Sequence, residues 1–422
     1  MKISKILSNS SNVERDAIIW NMIGSMIMAF QSVIMLMILT RTLGLLDAGV
    51  FTIAYANANL FLTIGKYGMR NFQVSDVKGQ FDFEVYKKSR LITSILMMVV
   101  SGIYVVYAGN KNGYTLQKSM IIIWMCIFKM VDAVEDVYHG FLQQKGRLDI
   151  AGKAMTIRLV ITITVFAITV IISNDLLFAL IISTVATMAL MIYLTQCSYK
   201  TVRVGEHKNG GSNVWKLLRL SFPLFLGSFL AFYIGNAPKY AIDSILSDEL
   251  QACYGFIAMP VFVIGLLNNF IFNPMIHKLS VIWEQRKMGQ FYRIVAEQIG
   301  VIVGITIVCI AGGGLVGTPV LSVLYNTDLT PYKMELIILL LGGGFLALSG
   351  FLVTVITIIR FQKYIVAGYG IVAFFAFYLS PAFVKQYAIM GAAMLYLILM
   401  VLLCIAFCGL MIWGIRVKRR ES

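Results

Sequence analysis

Twelve continuous apolar runs follow one another along the chain, each about the length that one helix needs to cross a bilayer. They fall at roughly 17–39, 48–69, 91–109, 118–138, 155–173, 175–196, 218–237, 252–274, 295–317, 335–358, 364–384 and 386–414. Strands of a membrane barrel would alternate polar and apolar positions. These runs do not alternate, so the pattern predicts an all-α polytopic membrane protein with twelve transmembrane helices. One run departs from the rest: the fourth carries Lys129, Asp132, Glu135 and Asp136. The polar stretch at 197–217 contains His207, Lys208, Asn209, Gly210, Gly211 and Ser212, a composition expected of a flexible linker. It divides the chain into a six-helix lobe over 1–196 and a second over 218–422, which ends in a basic tail. Ala48–Ala56 (AGVFTIAYA) and Ala252–Pro260 (ACYGFIAMP) open the second run of each half, a faint internal match of the kind a duplicated transporter shows.

Composition narrows the class. Of the 422 residues, 59% are hydrophobic and only 13% charged, about half the charged fraction of a soluble globular protein. A soluble enzyme, a disordered chain and a secreted disulfide scaffold are thereby excluded. The net charge of +15 would point to nucleic acid in a soluble protein. In a membrane protein it is read through the preference of Lys and Arg for cytoplasmic loops. With twelve spans and the N-terminus inside, the inner segments carry 28 Lys and Arg and the outer segments 6, with Lys129 alone in the membrane. Dropping the fourth run would turn every later basic segment outward, so that run is kept despite its charges. Both termini are then cytoplasmic, and no nucleic-acid partner is expected. The first apolar run is too long for a cleaved signal, and no small-residue cleavage site follows it.

All seven prolines, from Pro223 to Pro381, and the triplets Gly312–Gly314 and Gly342–Gly344 lie in the second half. Hinges in a mobile half and close packing through small residues both account for them. The six cysteines have no metal-site spacing, and His139, His207 and His277 form no ligand cluster. A phosphate loop, a zinc motif and a nucleophile–base pair are also missing. Neither an enzyme, a metal nor a cofactor is expected.

Charge inside a bilayer is costly and marks candidate function. Lys129, Asp132 and Asp136 share one face of the fourth helix, whereas Glu135 points away from it. The three form either a self-neutralised stripe or the lining of an aqueous cavity in which Lys129 meets an anionic substrate. Asp132, Glu135 and Asp136 are also candidates for ion coupling; Glu135 and Asp136 lie near the inner surface, in reach of solvent or of Lys145 and Arg147. Arg41 and Lys239 occupy the same place in the two halves, the outer end of the first run in each, and Arg70 lies at the inner end of the second run. Snorkelling to the interface explains these three, as does binding of a phosphorylated headgroup. Gln31, Asn57, Asn59, Asn236, Asn268 and Asn269 must find partners within the membrane, either sugar hydroxyls or one another's helices.

Several strings carry a family resemblance: Arg41–Tyr55 (RTLGLLDAGVFTIAY), Gly68–Asp76 (GMRNFQVSD), His139–Lys153 (HGFLQQKGRLDIAGK), Asn236–Asp243 (NAPKYAID), and Met259–Pro274 with its PVFVIGLLNNFIFNP. Together with twelve spans in two halves, they resemble the polysaccharide (Wzx-type) branch of the multidrug/oligosaccharidyl-lipid/polysaccharide flippase superfamily. The resemblance implies two six-helix lobes, a central cationic cavity and alternating access in a bacterial cytoplasmic membrane. The implied substrate is an oligosaccharide linked through diphosphate to a polyprenol, for capsule or O-antigen-like glycans. Membrane lipid, and the glycan polymerase or glycosyltransferases of the same pathway, are the implied partners. Lys129, Arg41, Arg70 and Lys239 would meet the diphosphate. A cation-coupled antiporter of small organic molecules is the alternative; it would need carboxylates in the first lobe, where Asp132 is a candidate, and the absence of any in the first run weighs against it. A membrane glycan polymerase is a further one, disfavoured by the short outer segments.

Overall fold

In the computed structural model, residues 7, 9–10, 12–76, 79–201 and 213–420 are described. The linker residues His207–Ser212 lie outside them. The described chain is helical almost throughout: α1 Val13–Thr42, α2 Leu45–Lys66, the short α3 Met69–Ser75, α4 Phe83–Asn112, α5 Leu116–Gln144, α6 Leu148–Ser173, α7 Leu176–Thr201 and α8 Val214–Ile245. Then follow α9 Asp248–Glu284, α10 Met288–Gly312, a π-turn at Gly313–Gly317, α11 Thr318–Tyr325, α12 Lys333–Ile358 and α13 Ile365–Arg420. Ala388 (φ 47°, ψ −128°) breaks α13 in two. Among the described residues, nine helical segments are long and apolar enough to cross a membrane. The charges already noted in the fourth run lie within α5.

Local chemistry marks the helix ends. The side chain of Asn12 accepts from the Arg15 amide at 3.1 Å, and Thr115 does the same for Lys118 at 3.1 Å, each satisfying an amide that has no partner within its helix. At the other ends Tyr67, Gly113, Asn174 and Asn326 take the left-handed conformation that closes a helix.

The chain forms two compact units, Met1–Phe229 and Leu230–Ser422, with the boundary inside α8. In the first unit α1 packs on α6, and α2 is packed against α4 and α5. Lipid tails are as apolar as leucine side chains, so packing of this kind relies on close contact. A Cβ on Gly152 would lie 2.7 Å from the backbone of Trp20 and Asn21, and one on Gly24 would lie 2.6 Å from Met155. Valine at position 152 is therefore expected to destabilise the unit by about 1–3 kcal/mol. Gly102→Ala, where nothing lies within 4 Å, should leave stability near that of the parent. Thermal unfolding in detergent separates the two outcomes.

The ends of these helices are tied down as well. Met69, Phe81, Val85, Tyr86, Val137, Leu217 and Leu218 form one buried cluster, which fastens the first turns of α8 to the unit. Beside it Tyr67 stacks on Phe225 with ring centroids 4.6 Å apart. Gly68 (φ 64°) turns the chain where a Cβ would come within 2.7 Å of Leu224, so both backbone and space require glycine. Leu7 is fully buried among Leu142, Ile150, Ala151, Ala154 and Leu194. The adjoining Ser10 donates to Asp149 at 2.7 Å, and Lys153 donates to the Asn9 carbonyl at 2.7 Å.

In the second unit α12 packs on α13, α9 and α10. Gly313 and Gly317 of the π-turn lie against Leu340 and Leu336, and Phe256 stacks on Tyr325 at 4.1 Å.

Candidate functional site

The charges of α5 converge with cations from three other elements. Arg158 of α6, 1% exposed, donates through Nε and Nη2 to the two oxygens of Glu135 at 2.9 and 2.8 Å. Its Nη2 also reaches Asp132 at 2.7 Å, and its Nη1 reaches Thr187 of α7 at 3.0 Å. Asp132 shares its other oxygen with Lys129 at 3.1 Å. Lys129, also 1% exposed, donates to Gln31 of α1 at 2.9 Å and lies 4.6 Å from the ring centroid of Tyr55 on α2. One turn further along α5, Asp136 receives Arg90 of α4 at 2.9 Å and Arg70 of α3 at 3.4 Å. Arg90 also donates to the Gly65 carbonyl, and Arg70 to Gln143 at 3.1 Å. His139 lies 3.7 Å from Glu135. Every carboxylate of the fourth run thus has a cation, as burial in low dielectric demands.

Two readings of the sequence change here. Lys129 is not the lone buried cation: Arg90 and Arg158, counted with the inner segments, are 2% and 1% exposed. Glu135 and Asp136 pair with Arg158, Arg90 and Arg70 in place of Lys145 and Arg147, and Arg147 itself pairs with Asp149 at 2.9 Å. Lys129 sits beside the Tyr55 ring and ties α1, α2 and α5 together through Gln31, Tyr55 and Asp132.

Beyond its first turn, exposure on α2 is confined to one face. From Ala48 to Gly65 every residue is buried except Tyr55, Asn59 and Thr63, and Lys66, which follows, is half-buried too. At 100° per residue Tyr55, Asn59, Thr63 and Lys66 fall within an arc of about 80°. From Ala48 onward the accessible stripe of this apolar helix is therefore wholly polar, and Arg70 continues it past the turn, 30% exposed. Asn59 donates Nδ2 to the Tyr55 carbonyl at 2.9 Å and Thr63 donates to the Leu60 carbonyl at 2.6 Å. The Asn59 Oδ1 and the lone pairs of Thr63 remain as acceptors. Lys66 forms neither a hydrogen bond nor an ion pair among the described residues, although its charge is felt at Asp132 and Asp136.

With His139 taken as neutral, five cations (Lys66, Arg70, Arg90, Lys129, Arg158) face three carboxylates (Asp132, Glu135, Asp136). The surplus falls where the stripe is open, on Lys66 and on Arg70, which shares Asp136 with Arg90. Nothing in the sequence pattern singled out Lys66; its signal was the spacing from Tyr55, Asn59 and Thr63.

The other candidates lie elsewhere. Asn57 is fully buried with both side-chain polar atoms unpartnered. Arg41 is exposed at the last turn of α1. Asn236, which donates to the Phe232 carbonyl at 3.0 Å, and the half-buried Lys239 belong to the second unit. The side chains of Asn268 and Asn269 lie outside the described residues. No group of three or more His, Cys, Asp or Glu side chains among the described residues could hold a metal.

The chain is 24% identical over 321 residues to the capsular polysaccharide biosynthesis protein CapF of Staphylococcus aureus, covering 73% of this chain and 77% of CapF. Its fold is similar to that of the lipid II flippase MurJ in an inward closed conformation (TM-score 0.70, 13% identity, 94% of this chain and 91% of that one). It is also similar to an inward-facing multidrug resistance MATE transporter of the MOP superfamily (TM-score 0.65, 16% identity, 96% and 98%). The polysaccharide biosynthesis protein family matches residues 15–280, more than half of the sequence. The chain belongs to that family.

Proposed function

We propose that this protein is a flippase that moves polyprenyl-diphosphate-linked oligosaccharide across the bacterial cytoplasmic membrane by alternating access. The observation that carries the reading is the polar stripe of α2 ending in Lys66 and Arg70. Polar and charged groups do not face lipid tails, so an accessible stripe of them at membrane depth lines water. Lys66 and the shared Arg70 supply the positive surplus there. A diphosphate that joins two groups carries a negative charge on each phosphate, which matches that surplus, and both side chains donate charge-assisted hydrogen bonds to phosphate. Lys129 and Arg158 hold the stripe in position from behind, and the prenyl tail stays in lipid.

Twelve spans follow if the nine apolar segments are joined by α5 and α9 and if α13 is two helices divided at Ala388. Both termini are then cytoplasmic, and the two units correspond to two transport lobes. Cells lacking the chain are expected to accumulate the lipid-linked oligosaccharide in the inner leaflet, out of reach of a membrane-impermeant lectin, until the gene is restored. Reporter fusions after Asn209 should read cytoplasmic and those after Asp248 external. Lectin access that does not depend on the chain would refute the flippase reading.

A further inference from the structure

We infer that the stripe on α2 also reads the oligosaccharide next to the diphosphate, with Thr63 and Asn59 as the specificity-determining side chains and Tyr55 as a platform beyond them. This rests on the proposed placement of the diphosphate at Lys66 and Arg70. Helical rise puts Thr63, Asn59 and Tyr55 about 4.5, 10 and 16 Å from Lys66 along α2. A pyranose is roughly one helical turn long, ~5 Å. With the diphosphate at Lys66, the first sugar lies beside Thr63, the second beside Asn59 and the third beside Tyr55.

The chemistry of each position suits that role. Thr63 spends its only donor and Asn59 one of its two on their own helix, at 2.6 and 2.9 Å, so what they present outward is acceptor oxygen together with the second Asn59 N–H. Acceptors fixed in this way select sugar hydroxyls or amides that point donors at them, and they reject analogues that leave them unpaired. Tyr55 is half-buried, and Lys129 lies 4.6 Å from its ring centroid, so the ring is held in place while it borders the stripe. A held aromatic ring accepts the apolar face of a sugar at small entropic cost. By contrast Asn57, two residues from Asn59, is on the far side of α2 and fully buried, which leaves it outside this recognition.

The test uses the full chain in nanodiscs and three probes: polyprenyl diphosphate, polyprenyl diphosphate carrying a hexose disaccharide, and the same lipid with its sugar hydroxyls methylated. The wild-type protein should bind the second probe more tightly than the first, and the third no more tightly than the first. The pair Asn59→Ala with Thr63→Val should erase that preference, a loss of roughly tenfold, with binding of the bare diphosphate within twofold of wild type. A sugar preference that survives in the pair overturns the inference, because the sugar is then read elsewhere. Failure of the parent reading looks different: bare polyprenyl diphosphate would not bind at all, or Lys66→Ala would bind it as wild type does. Thr63→Val alone keeps the side-chain shape, and its elution profile as a folded monodisperse species guards against a folding artefact.

Discussion

Arg158→Ala is expected to remove most folded protein from the membrane. The guanidinium is buried and touches Glu135 through two nitrogens, Asp132 through one of these and Thr187 through the third. It is thereby the clasp among α5, α6 and α7. Without it, among the described residues, Glu135 keeps His139 at 3.7 Å and Asp132 keeps Lys129. Leaving a buried charge uncompensated costs about 3–5 kcal/mol, a large share of the ~5–15 kcal/mol that holds a protein folded. Arg158→Lys should recover little, because a single ammonium cannot span both carboxylates as the planar fork does. Arg158→Met combined with Glu135→Gln removes both charges together and should restore part of the folded yield, since Asp132 retains Lys129. Fluorescence-detected size exclusion and thermal unfolding of the detergent-solubilised variants read this order. Wild-type yield and melting temperature for Arg158→Ala would mean that the network is not structural.

The same network shows what a single sequence reveals and what it hides. The apolar runs are legible because lipid demands about one run per crossing helix, and the fourth run is kept by the charge bias on either side of it. The partners of its charges are hidden. Hydropathy cuts a helix where polar residues begin, but α4 starts at Phe83, ahead of the run at 91, and α6 at Leu148, ahead of the run at 155, which carries Arg90 and Arg158 well inside their helices. Asn57 and Asn59 look equivalent in sequence, yet they sit about 200° apart on α2. Only the packing of α4 and α5 around that helix decides which of them is open. Lys66 is hidden for a related reason. As one of several basic residues near an inner turn it serves the charge bias, and its place on the stripe emerges only when the residues before it are seen to be buried on every other side.

Lys66 carries the second large effect. Its substitution by alanine should leave folding intact, because among the described residues it holds no partner in an ion pair or hydrogen bond. Transport should nevertheless fall steeply. A hydrogen bond from a charged donor contributes about 1.5–3 kcal/mol, which corresponds to roughly 10–150-fold in affinity. Lys66→Arg should retain part of the activity through its charge, and Lys66→Glu should lose it altogether by repelling the diphosphate. Lys129→Ala is predicted to behave in the opposite manner. It removes the pin among Gln31, Tyr55 and Asp132, so its folded yield should fall together with its transport.

Translocation in proteoliposomes tests the central claim most directly. A polyprenyl diphosphate oligosaccharide labelled on its sugar is placed in the membrane, and an impermeant quencher reports the fraction that has crossed. Wild-type protein should move the labelled headgroup across the bilayer, and Lys66→Glu, reconstituted at equal amount and equal thermal stability, should not. Equal rates for the two proteins would contradict the account, because the diphosphate would then cross without the charge at the end of the α2 stripe.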